Sequence, residues 1–412
     1  MLALYSTAQV TPCSFSARPG RRRSLLCAFS LQHRTYAERG AREQVPDLGR
    51  LQRMVAHDEL SLEHDVYHDK ALPRVTDIRH IDDEQGWGFV ACCDIVEGLT
   101  IVSVPLSETI IGIDEAGMAV PWNLQMVEQL LQRLSQGVSQ PWMDALPVHV
   151  DLPFLYWDDD DIAWLGDPCI IGEILTLREF CKSPDVQAYM SEYDWEDVLW
   201  GFAMVHSRSF VYSEGRHLFS PLIDMANHGD SPNAAVQLAY SPDRCQGQVA
   251  TDEIAPPRPP PASAESSGVF ELKAIRDIKA GEQVTISYGL QPNDVLLLYF
   301  GFALPSNEHD TVTVTLEDLR AVKGFAETGK VDNDRFFITR QGVDPRLLER
   351  VTSPTALLDL CQWKLDQLLD VERKENEAGG TLCHKDSRRH TAECFRKSKL
   401  TLLESAVKSL SA

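Results

Sequence analysis

The sequence predicts an α+β protein. Three observations carry that reading: short strand-like segments fill roughly residues 74–113, a helical period runs from Pro121 to Trp200, and strands return between Leu218 and Gly289 before two more helical stretches. The chain has 412 residues, which at about 150 residues per domain predicts roughly two to three domains. Hydrophobic residues make up 43% and charged residues 24%, a composition that excludes a wholly disordered or collagen-like chain. The net charge of −22 disfavours non-specific binding to nucleic acid or an anionic membrane and favours a basic partner, such as a lysine-bearing protein surface.

Taken in order, residues 1–42 read as a leader. Arg18, Arg21, Arg22, Arg23 and Arg34 precede the first acidic residue, Glu38, and an Arg-rich, Ser-bearing, acid-free start of this kind reads as an organelle transit peptide. Chloroplast stands ahead of mitochondrion, with a disordered start to a cytosolic protein as the alternative. Residues 43–73 form a polar lead-in. Its His64 and His68 have i,i+4 spacing but lack the Glu of an HExxH site, so surface histidines are expected.

Next come GWGFVA, a DIVEG turn and IVSVP, which predict small hairpins. Gly86 and Gly88 bracket Trp87 as a tight turn, with no P-loop lysine after it. In the helical region Leu124, Val127, Leu130, Leu131 and Leu134 make one apolar stripe. Asp194, with Asp197 three residues on, predicts the N-cap of a helix that buries Trp195, Val198, Leu199 and Phe202 and sets Gly201, Met204 and Arg208 in a row. The Asp158–Asp161 run reads as a solvated acidic loop, since nothing fixes an octahedral oxygen set.

Strands are predicted over Leu218–Ile223, Val269–Ile275 and Gln283–Gly289. The run PPRPPPASAESSG, within residues 255–268, cannot pack a core and reads as a disordered surface insertion. On the last strand Val284, Ile286 and Tyr288 alternate onto one face, which aims the phenol at the core from the strand's final residue. After Pro305, SNEHD, TVTVTL and helical stretches at Leu357–Val371 and Thr391–Leu410 predict a smaller, mainly helical domain. The longest apolar run, Val295–Leu304, has about half the length of a membrane-spanning helix. Ten cysteines without a CxxC pair read as reduced thiols. Cys383, His384, His390 and Cys394 include an HxxxC spacing, but the adjacent first pair and the crowding Lys and Arg argue against zinc, and no metal is expected.

Three segments, GWGFVACCDIVEG, FSPLIDMANHGDSPN and IKAGEQVTISYG, together resemble the SET-domain protein methyltransferases. The middle one matches the family's asparagine-histidine signature at Asn227 and His228, with Asp224 before it and Pro232-Asn233 after it; the last ends in the tyrosine motif, Tyr288-Gly289. PWMDALP, LYWDDDDIAWL, WGFAMVHSRSF and SNEHDTVTVTL are similar to the plant Rubisco large-subunit lysine methyltransferase group. No Cys-rich pre- or post-SET cluster is present.

The resemblance implies a SET-domain fold over residues 74–304 with a helical insert at about 116–200, then a helical substrate-binding-like domain over 305–412. It implies knot-like threading of the tyrosine strand past Asn227-His228, an arrangement rare among folds. It implies S-adenosylmethionine as cofactor, held by Gln85, Gly86, Trp87, Arg208, Asn227, His228 and Tyr288, with Arg208 reaching the cofactor carboxylate. Tyr288 is the implied catalytic residue, while Asp224, Arg208, Tyr212 and Tyr299 are implied on the substrate side. Tyr212 stands where the plant members carry a second arginine. Without the resemblance, Tyr288 reads as a core tyrosine, Asn227-His228 as a turn and Arg208 as a helix-surface residue.

The implied reaction is methyl transfer to the ε-amine of a lysine in a non-histone protein, with Rubisco large subunit and chloroplast aldolase as the group's substrates. No nucleic acid or membrane partner is expected, and a monomer is. Two alternatives stand beside this: histidine as the acceptor on the same scaffold, and an inactive SET-derived binding module, against which the intact Arg208, Asn227, His228 and Tyr288 argue.

Overall fold

A computed structural model describes residues 75–82, 85–115, 118–137, 140–213, 215–240, 268–326, 335–377 and 386–411. The expected leader and lead-in, with His64 and His68, lie outside the described residues. So do Cys383, His384 and the Pro-rich insertion up to its last residue, Gly268. The chain divides into two compact units: the described residues up to His149 together with Ala188–Gly289, and Val150–Gln187 together with Leu290–Ala412.

Among the described residues, the first unit carries ten strands: β1 (Thr76–Asp82), β2 (Gly86–Ala91), β3 (Thr100–Pro105), β4 (Ile110–Ile113), β5 (Phe210–Ser213), β6 (Arg216–Phe219), β7 (Asn227–His228), β8 (Ala234–Tyr240), β9 (Gly268–Ala274) and β10 (Gln283–Ile286). They form three small sheets in the orders β1-β2-β10-β7, β3-β9-β8 and β4-β6-β5. Its two longest helices among the described residues are α1 (Trp122–Gln136) and α2 (Trp195–Arg208). α1 ends on Gly137 in the left-handed conformation that glycine accepts without strain, and its predicted stripe is buried at Leu124, Val127, Leu130 and Leu131. α2 starts at Asp194, whose side chain accepts from the Glu196 N–H. A Cβ at Gly201 would stand 2.9 Å from Val127 Cγ1, so glycine there lets α2 lie close on α1.

The first sheet sets the site. β10 pairs antiparallel with β2, Val284 opposite Phe89, and parallel with β7, Thr285 opposite Asn227 and Ile286 opposite His228. A strand late in the chain therefore slots between two earlier ones. Asn233 completes it: its side chain accepts from Thr285 N–H and donates to the Gln283 carbonyl, both at 2.8 Å. Phe89, Val284 and Ile286 are buried beneath.

Two predicted strands prove shorter. β6 stops at Phe219, because the Ser220-Pro221 segment leaves the ladder: Pro221 has no N–H to give, and Leu222 turns to φ 65° with the Ile223 N–H donating to the Pro221 carbonyl at 2.7 Å. A single 3₁₀ turn, Ile223–Met225, follows. β10 stops at Ile286, because β7 offers only two residues to pair with it. Tyr288 therefore lies beyond the strand, not at its end.

The second unit combines helices with a sheet of β11 (Thr311–Val314), β12 (Phe336–Thr339) and β13 (Gly342–Val343). TVTVTL supplies β11, so the C-terminal region is not helical throughout. Its long helices are α3 (Ala356–Glu377) and α4 (Asp386–Leu410). Val312, Val314, Phe336, Ile338, Leu360, Cys361 and Leu403 form the core. Ion pairs are buried in it: Lys399 reaches Asp294 and Asp310, each at 2.9 Å, and Lys364 reaches Asp318 at 2.8 Å. The acidic run is solvated as expected at Asp158, Asp159 and Asp160, but it is not a loop, and Asp161 is buried. Asp158 and Asp161 make a capping box for a short helix, Asp159–Ala163, and buried Asp161 also pairs with Arg388 at 2.6 Å.

Among the described residues no helix is long and apolar enough to cross a membrane, and no group of three or more His, Cys, Asp or Glu is placed to hold a metal ion. His390 and Cys394 face each other at 3.6 Å on α4.

Candidate active site

The site lies wholly in the first unit and begins at the end of α2. Arg208, the helix's last residue, turns its Nη1 to the Asp224 carbonyl oxygen at 2.9 Å and to Asp224 Oδ2 at 3.1 Å. Asp224 has no exposed side-chain surface. Burial pushes its carboxyl up, and the Arg208 charge and hydrogen bond oppose that rise, helped by the nearby Trp142 indole. Two polar atoms of this buried pair, Arg208 Nε and Asp224 Oδ1, have no hydrogen-bond partner at bonding distance, the Trp142 indole acting on the carboxylate from beyond that distance. Leaving them so is costly unless another group meets them.

The strained Leu222 backbone sits two residues upstream of Asp224. A non-glycine residue at positive φ costs on the order of 1–3 kcal/mol, and here the turn is buried and aims the Asp224–His228 segment.

That segment ends in β7, where Tyr288 meets it twice. The Tyr288 hydroxyl donates to the Ala226 carbonyl at 3.1 Å, and the Tyr288 N–H donates to His228 Nδ1 at 3.2 Å. The two rings lie 5.4 Å apart, tilted. Accepting at Nδ1 assigns the neutral His228 a proton on Nε2, which faces Asp230 at 3.8 Å. Burial lowers the His228 pKa and Asp230 opposes it. Burial around the hydroxyl pushes the Tyr288 phenol up to about 12; Arg208 pulls it down and Asp224 adds to the rise.

On the other flank, Asn227 Nδ2 donates to the carbonyls of Gln85 and Trp87, each at 3.4 Å. The Gln85–Gly86–Trp87 turn joins β1 to β2, with Gly86 at φ 64°. Gly229 lies against Thr285, where a Cβ would stand 2.6 Å from its Oγ1, so glycine also permits the close passage of β10 behind β7.

The sequence-predicted residues Gln85, Gly86, Trp87, Arg208, Asp224, Asn227, His228 and Tyr288 are thus joined by hydrogen bonds or chain adjacency around β7. Tyr212 sits half-buried in β5, four residues after Arg208. Tyr299 belongs to the second unit, in the π-turn Leu296–Phe300. Sequence reasoning missed the Ala226 carbonyl and the side chains of Trp142 and Gln283, because none carries a pattern of its own.

Residues 86–289 match the SET domain family model. This chain carries a SET domain. The matched span takes in the Gly86 turn, Asn227-His228 and Tyr288. Its sequence and its fold are similar to those of the Rubisco LSMT group. The Rubisco large-subunit N-methyltransferase of Pisum sativum is 24% identical over 283 residues, 60% of this chain and 54% of that protein. The chloroplastic aldolase-lysine N-methyltransferase of Arabidopsis thaliana is 25% identical over 259 residues, 57% of this chain and 49% of that protein. The actin-histidine N-methyltransferase of Homo sapiens is 23% identical over 269 residues, 57% of this chain and 40% of that protein. The alignments span about half or less of these curated relatives. In fold, the chain is similar to the SET domain of LSMT bound to lysine and AdoHcy, with a TM-score of 0.60 at 17% identity over 89% of this chain and 92% of that one. Rubisco LSMT bound to AdoMet gives the same TM-score, identity and coverage.

Proposed function

We propose that this chain is an S-adenosylmethionine-dependent protein methyltransferase whose acceptor is the ε-amine of a lysine in a non-histone protein. The observation that carries the reading is the Tyr288 hydroxyl, fixed on the Ala226 carbonyl beside a buried Arg208–Asp224 pair that leaves one donor and one acceptor unused. A guanidinium donor and a carboxylate acceptor suit the carboxylate and ammonium of the cofactor's amino-acid end. Arg208 and Asp224 would hold that end, and the Gln85–Trp87 backbone with β7 would hold the rest. The cofactor, when bound, supplies an electrophilic methyl on a sulfonium.

The acceptor lysine must be neutral to attack. Deprotonating it from a pKa of about 10.4 near neutral pH costs roughly 3–4 kcal/mol, which an apolar channel beside a cation reduces. Tyr288, with its pKa near 12, stays a neutral phenol at working pH. Its proton is committed to Ala226 and its oxygen lone pairs are left to accept from the amine, which orients the nitrogen for in-line transfer. Tyr288 so placed is a positioning hydroxyl, not a phenolate base.

The chloroplast names of the plant relatives support, with the Arg-rich start, a plastid address and a protein substrate such as Rubisco large subunit or aldolase; the chain is taken to act as a monomer. Incubating purified protein and radiolabelled S-adenosylmethionine with a stromal extract tests the reading. A labelled protein band that Tyr288→Phe strongly diminishes is expected, with methyl-lysine in the digested band. No band with wild type, or an undiminished band with the variant, overturns the assignment; methyl-histidine in the band replaces lysine as acceptor.

A further inference from the structure

The turn between β1 and β2 is held from outside by two side-chain amides that converge over Gly88. Asn227 Nδ2 reaches the carbonyls of Gln85 and Trp87, and Gln283 Nε2 donates to Gln85 Oε1 at 3.0 Å. Both amides come this close because residue 88 has no side chain: a Cβ there would stand 2.6 Å from Asn227 Nδ2 and 3.1 Å from Gln283 Nε2. Gln283 is itself fixed, since its backbone pairs β10 with Val90 of β2 and its carbonyl accepts from Asn233. The Gln85 N–H is capped by Asp82 Oδ1 at 2.6 Å, which closes the other side of the turn.

We propose that Gln283 is a positioning residue that latches the Gln85–Gly86–Trp87 turn in the conformation that receives the cofactor. The inference rests on the reading above that this turn binds S-adenosylmethionine. Gln283 sits at the start of β10 and touches the turn through Gln85 alone among its side-chain hydrogen bonds described, so it acts through the turn and not on the reacting atoms. A turn held open or loose must be ordered at the moment of binding, and that ordering weakens affinity. The latch therefore governs cofactor affinity and leaves the transfer step alone.

Two readouts test it. Amide hydrogen exchange of the free protein over residues 85–88 is compared between wild type, Gln283→Ala and Gln283→Glu, and S-adenosylhomocysteine binding is measured by titration calorimetry. Loss of one hydrogen bond predicts dissociation about three- to tenfold weaker for Gln283→Ala, with exchange at the turn faster by a similar factor. KM for S-adenosylmethionine should rise with it, at a kcat within twofold of wild type. Gln283→Glu, which accepts from the Gln85 amide once that amide turns over, should restore both. In the Gln85→Ala background, Gln283→Ala should add nothing further. Unchanged exchange over 85–88, or a fall in kcat and thermal midpoint with KM unmoved, overturns the latch. A wild-type protein that bound no S-adenosylhomocysteine would overturn the functional reading, while the exchange comparison, made on free protein, would still support or overturn the latch.

Discussion

The Tyr288 hydroxyl donates to the Ala226 carbonyl at 3.1 Å, across 62 residues of sequence. The backbone of the same tyrosine is anchored two positions further along that segment, on His228. One residue is therefore tied at both ends to the Ala226–His228 segment, and its phenol has little freedom left. Removing the hydroxyl in Tyr288→Phe frees the Ala226 carbonyl and leaves the acceptor unpositioned. Stability should fall by only about 0.5–1.5 kcal/mol, the net worth of one hydrogen bond. The transfer rate should fall by about 100-fold or more, as for a lost group that acts in the transition state. Steady-state kinetics beside a urea titration separates the two.

Gly88→Ala should weaken cofactor binding through a steric route. Its Cβ would stand 2.6 Å from Asn227 Nδ2, and Asn227 can retreat only by giving up Gln85 and Trp87. Overpacking of this kind costs about 1–3 kcal/mol. At Gly86 the space is open but φ is 64°, so alanine there meets backbone strain instead. Calorimetric titration with S-adenosylhomocysteine should rank Gly88→Ala as the more damaging of the two.

His206 and His217 predict a pH dependence of stability. Trp122 stacks on the His217 ring at 3.6 Å, and Asn123 contacts His206 Nε2 at 3.3 Å, which ties α1 to α2 and β6. Burial drives His206 down to about 3, with His217 adding repulsion, and burial drives His217 down to about 4. Both folded values lie below the unfolded one, near 6.5. Between these values the unfolded chain binds protons that the folded protein excludes. Their contribution is therefore complete above pH 6.5 and is lost as pH falls toward the folded values. Each histidine should contribute a slope of about 1 kcal/mol per pH unit. Asp294, whose carboxyl is raised chiefly by burial, works in the opposite sense over part of that range. Thermal unfolding from pH 7.5 to 5 of wild type against His217→Asn isolates the histidine contribution: the variant should show the shallower loss.

Lys399→Met should be strongly destabilising. The ammonium is fully buried between Asp294 and Asp310, and those charges keep it protonated against the cost of burial. Removing it strands two carboxylates in the core of the second unit, at a cost of about 3–5 kcal/mol. Adding Asp294→Asn and Asp310→Asn to Lys399→Met should recover part of the loss, since an unpaired charge costs more than an unpaired amide. Urea midpoints of the single and triple variants check both statements.

Much of the local structure was legible in the chain. The stripe of Leu124, Val127, Leu130 and Leu131 and the Asp194 cap specify helices because side-chain period and capping act within a few residues. The motifs around Gly86, Asn227-His228 and Tyr288 were legible as residues of one family. What they do to one another was not. The length of β10 depends on how many residues β7 presents, so the strand ends at Ile286 and not at Gly289. The acidic run at Asp158–Asp161 looks solvated by composition, yet Arg388, more than 200 residues away, takes Asp161 into the interior.

The sequence by itself determined the α+β class, the helices and the residue types of the site, since local propensity and hydrophobic period need no partner. Only the tertiary structure decided that Asn227 and Gln283 meet over Gly88, that Tyr288 donates to Ala226 and that Lys399 lies between Asp294 and Asp310. Each of those is a contact between distant segments. Its energy comes from hydrogen bonds and charges that find partners only once β10 has passed between β2 and β7, or the second unit's core has closed.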